Sequence, residues 1–83
     1  MTTQTITHTR YQVGDQLPSV ETQAFVLEVK PIDTERSIIL ALLPGNVITP
    51  FVTWESYSSQ REVESGDYCR TLSAAMQSLV DRR

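Results

Sequence analysis

The sequence predicts an α+β domain, in which a meander of three to four antiparallel strands carries one C-terminal amphipathic helix packed on one face of the sheet. Three observations support this class. Short β-rich segments recur between turn residues, the run from Ser37 to Leu43 is apolar on both of its sides, and the last segment has a helical period. The 83 residues, of which 40% are hydrophobic, are enough for one small core.

The chain divides into an arm and a domain. Residues 1–12 are rich in Thr and Gln and have few apolar anchors, so we expect a flexible arm or an added edge strand. Residues 13–83 are predicted to form a single small α+β domain. Its start is marked by the turn and breaker residues Gly14, Asp15 and Pro18.

Three strands follow from local patterning. The stretch "TQAFVLEVK" alternates and places Phe25, Leu27 and Val29 on one side of a half-buried strand. The run "SIILALL" predicts a central second strand, since both of its sides are apolar. The stretch "ITPFVTWESY" predicts a third strand, with Pro50 tolerated near its start.

The polar stretch "SSQREVESGD" predicts a long turn, after which a short fourth strand at "DYCR" pairs back on the third strand across Gly66.

The final segment predicts an amphipathic helix. Its apolar residues fall at helical spacing: Leu72, Ala75, Met76, Leu79 and Val80. Thr71 is placed to act as the N-cap, and Arg82 and Arg83 suit the negative end of the helix dipole.

Trp54 is predicted to be a core residue and not a binding aromatic. It shares a strand face with Val52, and a single helix needs one apolar sheet face to cover its own stripe. We therefore expect the helix to pack on a face made of Phe25, Leu27, Val29, Val52 and Trp54.

The composition argues against several kinds of chemistry. One cysteine, Cys69, and one histidine, His8, lie far apart in sequence, so the chain is predicted to have no metal site, no disulfide and no nucleophile–base pair. Its glycines are isolated, which argues against a phosphate-binding loop. The expectation is a non-enzymatic protein without a cofactor.

The N-terminus lacks the basic and apolar regions of a signal peptide, and no apolar run approaches the roughly 20 residues that span a bilayer. Together with the single cysteine, this predicts a cytoplasmic protein that does not bind membranes.

The stretch "TPFVTWES…GDYCRTLSAAM" resembles a pattern in small uncharacterised proteins of phages and plasmids, with a TP[FY]VTW motif, a Gly-x-Tyr motif and a Leu/Ala-rich helix. The resemblance covers about residues 49–80, and Cys69 departs from the aromatic residue expected beside Tyr68. It is carried by Thr49, Pro50, Phe51, Val52, Thr53, Trp54, Gly66, Tyr68, Leu72 and Ala75. The resemblance implies no biochemical activity, but it implies an accessory or regulatory role in a mobile genetic element.

The two-sided apolar second strand also predicts a partner surface. One helix covers one sheet face, and the other face is expected to bind a second protein chain, either another copy or a heterologous partner. We assign this surface to Val26, Ile39, Thr53 and Tyr57, with Tyr57 as its anchor. In the alternative, the arm folds over this face through Ile6, Tyr11 and Val13.

The predicted function is therefore a protein-binding module that docks on a host or defence protein. The alternative is a small nucleic-acid-binding β-rich domain. The balance of 7 basic against 10 acidic side chains, a net charge of −3, argues against that alternative, because phosphate binding requires a basic patch.

Overall fold

A computed structural model describes residues 11–17, 23–59 and 63–83. These form four strands and a helix: β1 (Phe25–Pro31), β2 (Arg36–Leu42), β3 (Phe51–Tyr57), β4 (Val63–Cys69) and α1 (Leu72–Asp81). The strands form one antiparallel sheet in the order β1-β2-β3-β4, with α1 against it. The predicted α+β meander with a C-terminal helix is confirmed. Within the described ranges, no helix is long and apolar enough to cross a bilayer.

The β1–β2 connection is a tight turn organised by Asp33. Its carboxylate Oδ1 accepts hydrogen bonds from the backbone amides of Glu35 and Arg36, both at 2.8 Å. These two bonds favour the charged carboxylate and lower the pKa of Asp33. An aspartate that bonds to the amides that follow it favours a turn, which explains why the polar run after Pro31 reverses the chain.

β1 contains a bulge that changes which of its side chains share a face. Val26 pairs with Ala41, but Glu28 pairs with Leu40, so Leu27 is an extra residue. As a result, Val26 and Val29 point to the same side of the sheet and Leu27 points to the other. The prediction that Leu27 and Val29 share a face is wrong, because simple alternation fails across a bulge.

β4 is longer than expected and begins inside the polar run predicted to be a turn. It is an edge strand, and its residues from Glu64 to Tyr68 are exposed. An edge strand needs few apolar side chains, so its sequence lacks the pattern that marks a buried strand. A bulge places Ser65 and Gly66 opposite Trp54, and Ser65 has a left-handed φ of 59°.

One hydrophobic cluster lies between the sheet and α1, and we call it the helix-side cluster. Ala75 and Leu79 point from α1 into the sheet. The buried members are Ile38, Leu40, Cys69, Ala75 and Leu79, with Leu27, Ile32 and Phe51 packed at the margin.

A second cluster lies on the opposite face of the sheet, and we call it the lid-side cluster. Residues 11–17, the lid segment, cover this face with Tyr11 and Leu17. The buried members are Tyr11, Leu17, Ala24, Val26, Ile39, Ala41, Leu43, Val52 and Trp54, with Val29 and Val63 packed against them. The lid segment is fixed by backbone hydrogen bonds of 2.8–2.9 Å to Ala24 and Val26.

The second sheet face is thus covered from within the chain, as in the alternative prediction. Tyr11 is buried in the core although it lies before the predicted domain boundary at residue 13. Val13, in contrast, is exposed, and Ile6 lies outside the described residues together with the rest of residues 1–10.

Trp54 is a core residue, 6% exposed, and that prediction is confirmed. Its predicted position under the helix is wrong, as is that of Val52, because both belong to the lid-side cluster. The register explains the difference. Val52 pairs with Ala41, which pairs with Val26, so these residues face the lid while Leu27 faces the helix.

Lys30 caps the C-terminal end of α1. Its Nζ donates hydrogen bonds to the backbone carbonyls of Leu79, Val80 and Arg82, at 2.9, 2.8 and 2.8 Å. These carbonyls have no amide partner within a helix that ends there, and a cation at this end also suits the helix dipole. At the other end, Thr71 Oγ1 accepts from the amide of Ala74 at 3.1 Å, as predicted for the N-cap.

Replacing Lys30 by Met is expected to lower the free energy of unfolding by about 1 kcal/mol, since charge-assisted hydrogen bonds are lost from a partly buried site. Urea denaturation measures this change. Arg83→Met is the matched control, because Arg83 is exposed near the same helix end and its loss changes the net charge equally. Equal effects of the two substitutions would show that charge near the helix end matters and the three bonds do not.

Candidate protein-binding surface

The side of α1 next to the docked residues Ala75 and Leu79 carries an exposed apolar row, which we call the α1 stripe. It consists of Leu72, Met76 and Val80, which are 47%, 41% and 60% exposed. Their spacing of four residues places them along one side of the helix. Ala75 and Leu79 fill the helix-side cluster instead, so the apolar residues of α1 divide into a docked set and an exposed set.

The α1 stripe lies in a shallow depression whose other lining residues are Ser73 and Gln77. No residue from Thr71 to Val80 is charged. Exposed helix sides of monomeric proteins ordinarily carry charged residues. A polar but uncharged rim around exposed apolar side chains is instead typical of a surface that becomes buried against another chain.

A chain of hydroxyl and carboxylate groups fixes α1 on the sheet. Thr53 Oγ1 lies 2.9 Å from Ser78 Oγ, and Ser78 Oγ donates to Asp67 Oδ2 at 2.6 Å. Thr53 is on β3 and Asp67 is its partner on β4, so these contacts join the helix to two strands. They orient α1 about its own axis and thereby hold the α1 stripe outward.

A second polar cluster fixes the C-terminal end of the helix. Arg82 Nη1 donates to the carbonyl and to Oγ1 of Thr53, at 2.9 and 3.0 Å, while its Nη2 lies 3.6 Å from Glu55 Oε2. Arg36 Nη1 lies 3.5 Å from the same Glu55 oxygen. Arg82 was expected to serve the helix dipole. In the structure it binds β3, and Lys30 binds the helix carbonyls.

Tyr57 belongs to the polar cluster formed by Arg36, Glu55 and Arg82. Its hydroxyl donates to Glu55 Oε1 at 2.7 Å, and that hydrogen bond, which requires the protonated phenol, is the main cause of the raised pKa of Tyr57. The hydroxyl is therefore engaged within the chain. Tyr57 is only half-buried, and it is the one predicted partner-binding residue with an accessible surface.

The four predicted partner-binding residues do not form one surface. Val26 and Ile39 are buried beneath the lid segment, in the lid-side cluster. Thr53 and Tyr57 point to the other face, where Thr53 is buried and bonded to Ser78 and Arg82. The prediction placed the four residues on one face of the sheet, but the register of the strands puts Val26 and Ile39 on one face and Thr53 and Tyr57 on the other.

The surroundings of Cys69 disfavour a reactive thiol. Cys69 is buried in the helix-side cluster, its Sγ donates to the carbonyl of Asp67 at 3.6 Å, and burial is the main cause of its raised thiol pKa. A raised pKa disfavours the nucleophilic thiolate. No group of three His, Cys, Asp or Glu residues capable of holding a metal ion occurs among the residues described.

The α1 stripe was missed because its residues were assigned together with Ala75 and Leu79 to one buried side. A signal was present in the sequence: the apolar arc from Leu72 to Val80 is wider than one sheet contact requires, and no charge interrupts it.

Comparisons of the chain with protein-family models, with curated proteins and with solved structures found no match.

Proposed function

We propose that this protein is a non-enzymatic protein-binding module and that it binds another protein chain through the α1 stripe. The observation that carries the proposal is the uncharged, exposed apolar row of α1, with Leu72, Met76 and Val80 accessible on a helix whose orientation is fixed by polar contacts. Exposed apolar side chains in a row lose water-accessible area when a second chain covers them, which favours association.

The distribution of basic side chains supports a protein partner over a nucleic acid. Lys30 is engaged with the carbonyls of α1, and Arg36 and Arg82 both lie beside Glu55. In the described part of the chain this leaves Arg70 and Arg83 as exposed cations without such partners. Two separate arginines do not make the continuous basic face that phosphate groups require.

The biological setting remains a prediction. The resemblance of residues 49–80 to proteins of phages and plasmids predicts an accessory role in a mobile genetic element, and docking on a host or defence protein is the form this role would take. The cytoplasm is the predicted compartment.

Site-specific photocrosslinking in cells tests the binding surface. A photoreactive phenylalanine analogue at Ser73, within the depression, is expected to form adducts with another protein chain. The same analogue at Thr34 is the control, since Thr34 is also exposed but lies in the β1–β2 turn. Met76→Lys is expected to remove the Ser73 adducts, because a buried lysine without a partner opposes association.

Adducts of equal yield from Ser73 and Thr34, or adducts that persist in Met76→Lys, would contradict a binding role for the α1 stripe.

A further inference from the structure

We draw no further inference here: the strongest candidate, the exposed apolar pair Val47 and Ile48 in the β2–β3 loop, is a surface patch for which nothing in the structure shows what covers it.

Discussion

Replacing Leu79 by Ala is expected to lower the free energy of unfolding by roughly 2–5 kcal/mol, the range for removing a buried leucine side chain. Leu79 is 5% exposed and is one of two α1 residues that enter the helix-side cluster. The other, Ala75, is too small to fill the space that Leu79 would leave. A small domain has a small reserve of stability, so this loss is a large part of the total.

Val80→Ala is the matched control, because Val80 is the next residue and is 60% exposed. Its effect is expected to stay within about 0.5 kcal/mol, as is usual for a surface position. Chemical denaturation at micromolar protein concentration measures both changes without a contribution from association. A Leu79→Ala change as small as that of Val80→Ala would mean that α1 does not dock through Leu79.

Replacing Gly66 by Ala is expected to cost roughly 1–3 kcal/mol through overpacking. A Cβ atom on Gly66 would lie 2.6 Å from Nε1 and 3.1 Å from Cδ1 of Trp54, and 2.9 Å from Cε1 of Tyr68. The rings of Trp54 and Tyr68 pack edge to face, with centroids 6.1 Å apart. Tyr68 is half exposed and can turn aside, but Trp54 is buried and cannot move without disturbing the lid-side cluster.

Gly45→Ala is the control for this change, since a Cβ atom there meets nothing within 4 Å. We expect it to be neutral or slightly stabilising, because alanine reduces the freedom of the unfolded chain. Trp54 is the only tryptophan, so its fluorescence reports on the site directly. A Gly66→Ala variant with wild-type stability and an unshifted emission maximum would show that the indole does not lie against Gly66.

The elements that could be predicted are those whose signal is local. The two-sided apolar run of β2 and the helical period after Thr71 each depend on neighbouring residues, and both elements occur where the patterns predict them. The N-cap is local too, and Thr71 fills it. Apolar patterning and helix capping depend on residues within one strand or one helical turn, so both can be predicted from a single sequence.

The features that could not be predicted depend on pairing between distant segments. The bulge at Leu27 and the register between β2 and β3 decide that Trp54 faces the lid segment and not α1. A shift of one residue exchanges the two faces, and nothing within β3 alone reports its register. The predicted partner surface failed to form one patch for the same reason, since Val26 and Thr53 were combined without knowledge of the pairing.

The exchange of roles between two cations is a further example. Arg82 is near the helix end in sequence, yet Lys30, 49 residues before Leu79, donates to the helix carbonyls. Arg82 instead donates a hydrogen bond to Thr53 and pairs with Glu55, and both of these residues belong to β3. Proximity in sequence is a poor guide to which of two cations caps a helix when strands supply competing acceptors.

The hydrogen bonds between Lys30 and the end of α1 have a consequence for the order of folding. Each strand pairs with its neighbour in the chain, so the meander closes only short loops. The hydrogen bonds of Lys30, in contrast, join residues about 50 positions apart. Closing a longer loop costs more entropy. A helix of ten residues is also marginal in water before it packs. We therefore expect the meander to assemble first and α1 to dock last. The α1 stripe is then formed only on molecules whose sheet is complete. A nascent chain whose sheet is still incomplete does not yet display it.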